Sequence, residues 1–248
     1  MYFSAYIRRF SSILLLIAIW YVAALWWHNN MLPAPGKVLQ MIWQEALSGQ
    51  LWLHLSATLI RVLISFVIAM LLGSIIGIVM GRSRSADQLL DPWLIIFLNI
   101  PALVIIILSY VWFGLQELTA IFAIAINKIP NVVVTLREGA RTLDKGYQEM
   151  ARSFNLGRRK TFLYVTLPQL LPFFAVAGRS GLSLIWKIVL VVELLGRSDG
   201  VGFKLHLYFQ LFDVTGILAY SLSFILIMLI IEYGLLQPIE RRINRWRG

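Results

Sequence analysis

The chain contains no cysteine among its 248 residues, so disulfides and thiolate metal sites are excluded. Its three histidines, His28, His54 and His206, share no ligand spacing, and the sequence contains no H-E-x-x-H motif. The glycine-rich stretch 196–204, GRSDGVGFK, lacks the G-x-x-x-x-G-K-[ST] spacing of a phosphate-binding loop. The sequence therefore offers no recognisable catalytic machinery or metal site.

Charge is also scarce. Charged residues make up 14% and hydrophobic residues 59% of the chain, whereas soluble domains contain about 25% and roughly 45–50%. The apolar residues come in long blocks rather than with amphipathic periodicity. This composition predicts an all-α polytopic membrane protein in contact with the lipid bilayer.

Six segments are candidates for membrane spans, because a spanning helix needs about 20 mostly apolar residues. They are roughly 11–28, 58–80, 93–113, 117–136, 172–195 and 214–236. The first is preceded by Arg8 and Arg9 and ends in Trp26 and Trp27. Bulky tryptophans suit a membrane interface better than a cleavage site, which favours a retained anchor over a signal peptide.

The distribution of basic residues predicts the orientation. With the N-terminus inside, cytoplasmic segments would hold fifteen of the 22 lysines and arginines, and the outer loops would hold three. This bias predicts that both termini are cytoplasmic. The net charge of +10 is then explained by topology and anionic lipid, and no nucleic-acid partner is expected.

A polar segment separates the first two predicted spans. After Pro33, Pro35 and Gly36 it has apolar residues at helical spacing, namely Val38, Leu39, Ile42, Trp43, Ala46 and Leu47. The opposite face would carry Lys37, Gln40, Gln44 and Glu45. Two interpretations remain open: an amphipathic helix in the outer membrane interface, or an extramembrane helix packed on its neighbours.

Glycine and proline mark the second, third and fourth predicted spans. Gly73, Gly77 and Gly81 recur every fourth residue, which predicts a close helix–helix contact. Pro101 and Pro130 would interrupt backbone hydrogen bonds within their spans. Such kinks are common in transporters but also occur in any helical bundle.

The longest predicted cytoplasmic segment, 137–171, exceeds what a simple turn requires. Asp144 can cap a helix from Lys145 to Leu156, and Gly157 would supply a left-handed cap at its end. Pro168 would then turn the chain back towards the membrane. A short helix fixed at both ends predicts a docking element, although a charged loop that only anchors the topology would also fit.

This segment resembles a known motif. The run EMARSFNLG at 149–157, followed by VTLP at 165–168, resembles the EAA loop of permease subunits in binding-protein-dependent ABC importers. That pattern contains Glu-Ala-Ala, a glycine six residues after the glutamate, and Ile-x-Leu-Pro. The residues in register are Glu149, Ala151, Val165, Leu167 and Pro168. Met150 replaces an alanine, and Asn155 takes the place of the glycine but tolerates the same left-handed conformation.

Most of the chain is similar to the nitrate/sulfonate/taurine branch of that family. The similar stretches are LPAPGKVL, LIRVLISFVIAMLLGSIIGIVMGRSRSADQLLDPW, IPALVIIILSYVWFG and VVELLG, which contains Glu193. The resemblance implies a type I importer fold in a bacterial inner membrane. It also implies a second copy of the chain, two cytoplasmic ATPase subunits and an extracytoplasmic solute-binding protein.

The resemblance assigns ATP and Mg to the partner ATPase, and this chain is expected to bind no cofactor. The loop helix would sit in a groove on each ATPase, with Glu149, Arg152 and Gly157 at or near the contact. The implied organisation is an anchor and outer helix (1–53), a permease domain (54–240) and a basic cytoplasmic tail (241–248). An ATP-independent channel and an exporter permease are the alternatives.

Ionisable residues inside spans are costly and are therefore functional candidates. The candidates for the solute path are Lys128, Lys187, Arg179 and Glu193. A positively lined path would suit a small anion such as a sulfonate. Alternatively, the lysines pair with Glu193 or Glu117, or extend their long side chains towards the interface. The residues do not name the solute.

Overall fold

The computed structural model describes residues 2–27 and 32–238, and every regular element within them is helical. The helices are α1 (Tyr2–Trp27), α2 (Pro35–Leu47), α3 (Gln50–Arg82), α4 (Arg84–Asn99), α5 (Ala102–Phe113), α6 (Glu117–Arg141), α7 (Lys145–Ser153), α8 (Arg158–Thr161), α9 (Leu167–Gly196), α10 (Val201–Gln210) and α11 (Val214–Ile231). A π-helical turn, Phe162–Thr166, joins α8 to α9, and a second, Glu232–Leu236, follows α11. The predicted all-α class is confirmed. The predicted tail 241–248 and His28 lie outside the described residues.

Four helical stretches are long and apolar enough to cross a membrane: Gln50–Arg82, Glu117–Arg141, Arg158–Gly196 and Val214–Leu236. The bent pair α4 and α5 makes a fifth if it counts as one span. The predicted span 11–28 falls mostly on α1, whose apolar part Leu14–Trp26 is shorter. The number of six spans, and the side of the membrane on which the termini lie, stay predictions.

The predicted span 93–113 is not one continuous helix, and the interruption expected at Pro101 is present. Two helices, α4 and α5, meet there at an angle of 96°. Pro101 has no N–H to continue a helix, and its ring keeps Ile100 out of the helical region, with ψ at 125°. By contrast, Pro130 lies inside the uninterrupted α6. The two prolines therefore act differently.

The centre of the molecule is a bundle in which α3 packs on α6, and α6 packs on α9. Gly73, Gly77 and Gly81 all lie along the contact between α3 and α6. A Cβ atom added at Gly77 would stand 2.7 Å from the carbonyl oxygen of Val133. Because backbone atoms occupy that space, a side chain there would force the two helices apart.

Helix α2 packs on α11 and α3 but differs from its predicted faces. Val38 is fully buried, whereas Leu39, Trp43 and Leu47 are exposed. Glu45 was expected on the polar face, yet its carboxylate accepts hydrogen bonds from two tyrosine hydroxyls, Tyr208 (3.3 Å) and Tyr220 (2.5 Å). The helix therefore packs on its neighbours through one face and leaves large apolar side chains on another.

The glycine contact generates a stability prediction. Gly77→Ala should lower the free energy of unfolding by about 1–3 kcal/mol, the usual cost of overpacking a core. Gly36→Ala in α2 is the matched control, because no atom lies within 4 Å of the added methyl group. Thermal unfolding of the purified proteins in detergent measures both changes. Equal stability of the two variants would contradict the close contact.

Candidate functional site

The main buried polar cluster lies where α3, α6, α9 and the loop before α10 meet. Its centre is Arg61, whose side chain is 1% exposed. The guanidinium donates to both carboxylate oxygens of Glu117, from Nε at 2.7 Å and from Nη2 at 2.9 Å. It also donates from Nη1 to Glu193 at 2.7 Å and from Nη2 to the Asp199 carboxylate at 2.5 Å. A bond from Nη1 to the Asp199 carbonyl at 3.1 Å uses the fifth N–H group.

Glu193 is fully buried within this cluster. Its second carboxylate oxygen accepts from the backbone N–H of Gly202 at 2.9 Å and from the Thr58 hydroxyl at 2.9 Å. A Cβ atom at Gly200 or Gly202 would overlap the Glu193 side chain, so both positions require glycine. The carboxylate therefore fixes the start of α10 and has no open face for a solute.

Arg61 is the residue that the sequence analysis missed. The alternative that Lys128 or Lys187 pairs with Glu193 or Glu117 is wrong, because Arg61 holds both carboxylates. The position of Arg61 within an apolar segment could have identified it, because burying an arginine in a span costs as much free energy as burying a lysine and requires partners.

Lys128 and Lys187 have opposite surroundings. Lys128 is 1% exposed, and its ammonium group has no hydrogen-bond partner within the described protein. Its stem packs over Gly181, where an added Cβ atom would lie 2.6 Å from Cε. Lys187 is instead exposed on α9. Arg179 is also on α9, with its side chain 47% exposed and 3.1 Å from the carboxylate of Glu232.

The predicted loop helix exists as α7 and is fixed at both ends. At its start, the Asp144 side chain accepts from the N–H of Gly146 at 2.7 Å. At its end, Asn155 has a φ of 49°, in the left-handed region. The N–H groups of Asn155 and Leu156 then bond the carbonyls of Arg152 and Ala151, both at 2.9 Å, which forms a Schellman motif.

Two expectations about this loop are wrong. Gly157 does not form the left-handed cap, because its φ is −54° and Asn155 already takes that role. Pro168 does not turn the chain, because it lies in the first turn of α9, where its missing N–H does little harm. Leu167 and Pro168 instead belong to a helical stretch that continues from Arg158 to Gly196.

The exposed surface of α7 includes Glu149 and Arg152 but not Ala151. Ala151 is fully buried, and α7 packs on the π-helical turn before α9. Among the described ion pairs, none joins Glu149 to Arg152, and both side chains are exposed. The side chains that project are apolar: Tyr147 is 54%, Met150 is 43% and Phe154 is 74% exposed. At a spacing of three and four residues they share one face.

With this geometry established, comparison with known proteins decides the family. Residues 69–244 match the family model described as "Binding-protein-dependent transport system inner membrane component". The chain belongs to this family. It is therefore a multi-pass inner-membrane permease of the ABC importer class. The relatives that it matches are transport permeases rather than enzymes.

Relatives that are named for their substrates support the predicted branch. The putative aliphatic sulfonates transport permease protein SsuC of Escherichia coli is 33% identical over 190 residues, covering 76% of this chain and 72% of the relative. The taurine transport system permease protein TauC of the same organism is 28% identical, covering 94% and 87%. The nitrate import permease protein NrtB of Synechocystis is 27% identical, covering 79% and 74%.

Solved structures show the same fold. The inward-facing MetNI methionine ABC transporter aligns with a TM-score of 0.66 and 17% identity, over 80% of this chain and 96% of that one. An amino acid ABC transporter crystallised with histidines aligns with a TM-score of 0.64 and 21% identity, over 82% and 97%. The predicted type I importer permease fold is therefore confirmed.

The Arg61 cluster generates a second prediction. Arg61→Met should destabilise the protein by about 3–5 kcal/mol, because it leaves the buried carboxylate of Glu193 without a cation. Adding Glu193→Gln should restore part of that loss, since the remaining amide can still bond Gly202. Thermal unfolding of the single and double variants measures this coupling, with Arg84→Met, an exposed position, as the control. Purely additive losses would show that Arg61 and Glu193 act independently.

The end of α7 generates a third prediction. Asn155→Val should strain the left-handed position by about 1–2 kcal/mol and loosen the last turn of α7. Gly157→Val should have little effect, because its φ is ordinary and no atom lies within 4 Å of the new Cβ. Hydrogen exchange of the α7 amides reports both changes. Faster exchange in the Gly157 variant alone would show that Gly157, and not Asn155, forms the cap.

Proposed function

We propose that this chain is the subunit of an ATP-driven importer that forms the solute path and receives a cytoplasmic ATPase on α7. The observation that supports docking is the apolar face of Tyr147, Met150 and Phe154 on a helix fixed at both ends. Three adjacent exposed apolar side chains on an otherwise polar helix are typical of a protein contact. A loop that only anchored topology would have no need of them.

The docking helix is coupled to the membrane part by continuous structure. α7 packs on the π-helical turn, and that turn leads directly into α9. A displacement of α7 would therefore act on the end of a helix that extends from Arg158 to Gly196. In this proposal the ATPase uses ATP and Mg, and Ala151 serves the internal packing of the loop rather than the partner contact.

We further propose a small anion as the solute, an assembly of two copies of this chain, and delivery of the solute by an extracytoplasmic binding protein. The names of the relatives, which refer to sulfonates, taurine and nitrate, support an anion. The exposed Lys187 within α9 supports it independently. Residues 1–53 would be an accessory anchor and outer helix, and 54–240 the permease domain.

Docking is tested with Phe154→Asp, expressed together with the ATPase subunits. A carboxylate placed in an apolar contact should weaken ATPase binding by at least about 2 kcal/mol, as for other central interface residues. Recovery of the ATPase on purification and ATP-driven uptake in proteoliposomes should both fall. Docking through the charged face would instead make Glu149→Lys the damaging change.

Phe212→Asp is the matched control for this experiment. Phe212 is 87% exposed, and it lies between α10 and α11, near the end of the bundle opposite α7. Its φ of 54° is one that aspartate tolerates. ATPase recovery should therefore be unchanged in this variant. Full ATPase recovery and uptake in both the Phe154 and Glu149 variants would exclude α7 as the docking helix, and ATP-independent flux would favour a channel.

A further inference from the structure

One face of α9 is polar and exposed inside an otherwise apolar span. Arg179, Ser180, Ser183 and Lys187 are all exposed. Ser183 follows Arg179 and Ser180 by four and three residues, and Lys187 follows Ser183 by four, which places them on the same side of the helix. The opposite side of α9 is buried against the bundle at positions such as Ala177, Ile185 and Val189. The polar stretch is therefore a distinct surface, which we call the α9 polar face.

The charge of this face is concentrated at one residue. Arg179 is compensated by Glu232, whose carboxylate lies 3.1 Å away. Lys187 has no carboxylate within ion-pair distance among the described residues. Each subunit therefore presents one uncompensated positive charge on this face. One turn away, the Ser183 hydroxyl donates to the carbonyl of Ser180 at 3.0 Å, and it can rotate towards a ligand.

Such a surface is poorly suited to lipid. A lysine held at the bilayer centre costs about 2.5–3.5 kcal/mol, and hydrocarbon offers no partner to a serine hydroxyl. On α11, by contrast, the exposed side chains are apolar, including Leu226 and Ile230. The polar face is also concave near Ser183, where Val176, Arg179, Ser180, Ser183 and Glu232 line a depression. Both features favour water over lipid at this surface.

The other candidates for the solute path do not reach an open surface. Lys128 is enclosed between α6 and α9, and Glu193 is held by Arg61, Thr58 and Gly202. The charge of Arg179 is compensated by Glu232. Of the four ionisable residues considered from the sequence, only Lys187 combines exposure with an uncompensated charge.

We propose that Ser183 and Lys187 form an anion-binding step of the solute path, completed by the same two residues of a second copy. This inference rests on the proposed function. A single helix face cannot enclose a solute, but a two-fold axis would place the face opposite itself. Two ammonium groups and two hydroxyls would then surround an anion that offers several oxygen acceptors. A sulfonate and nitrate share this chemistry.

The absence of cysteine allows a direct test. Ser183→Cys places one thiol on the polar face of each copy of the chain. The variant is reconstituted with its ATPase and hydrolyses ATP, so that all states are sampled. Two membrane-impermeant methanethiosulfonate reagents serve as probes, one carrying a sulfonate and one a trimethylammonium group. For each reagent, the rate of labelling the protein is divided by the rate at which the same reagent reacts with a free thiol.

Both reagents should label Ser183→Cys, and the sulfonate should be favoured. Adding Lys187→Met should lower the ratio of sulfonate to ammonium labelling by about tenfold or more, since a charged cleft concentrates counter-ions to that extent. Lys128→Met is the matched control and should leave the ratio unchanged, because that lysine is enclosed. Leu226→Cys on α11, which is 60% exposed but apolar, should resist both reagents.

Two results would overturn the proposal. Resistance of Ser183→Cys to both reagents would mean that the face meets lipid or packs dry against a partner. An unchanged ratio after Lys187→Met would mean that this lysine does not select anions. Either result is independent of ATPase docking, which the Phe154 and Phe212 variants test separately. If docking fails and the ratio still changes, the anion step stands without the proposed coupling.

Discussion

The buried guanidinium of Arg61 is the constraint on which one end of this permease depends. A charge removed from water must find its partners within the protein, and Arg61 uses all five N–H groups to do so. Its partners come from α6, α9 and the loop before α10. One side chain therefore fixes the relative positions of α3, the start of α6, and the end of α9 with the loop that follows it, which are three regions far apart in the sequence.

The need to hold these partners also constrains residues that do not bond Arg61 themselves, namely Gly200, Gly202 and His54. Glu193 can accept from the N–H of Gly202 only if positions 200 and 202 carry no Cβ atom. His54 accepts from the N–H of Gly200 at 3.0 Å, which fixes the same loop from α3. The glycine-rich stretch 196–204 is therefore a tightly bonded connection around a carboxylate.

The opposite end of the molecule accommodates its charged groups differently. There the charged groups are exposed or paired near the surface, as where Arg137 bonds Asp91 at 2.5 Å and Arg141 bonds Asp87 at 2.5 Å. These bonds join the start of α4 to the end of α6. They stabilise the base from which the chain leads to α7, so α7 is supported without being covered. α6 and α9 connect the two ends.

The sequence by itself determined the class, the main apolar helices, the short helix α7 and the family, because long apolar runs, a capping aspartate and a spaced motif are local signals. It also identified Gly73, Gly77 and Gly81 as a row that could face another helix. It predicted an interruption at both Pro101 and Pro130, but it could not show that only Pro101 separates two helices while Pro130 leaves α6 intact. Nor could it choose between Asn155 and Gly157 for the left-handed cap. Only the tertiary structure decided which ionisable residues are paired, enclosed or exposed, because their surroundings depend on neighbours from other helices. Glu193 and Lys187 lie on the same helix, yet Glu193 is buried and Lys187 is exposed.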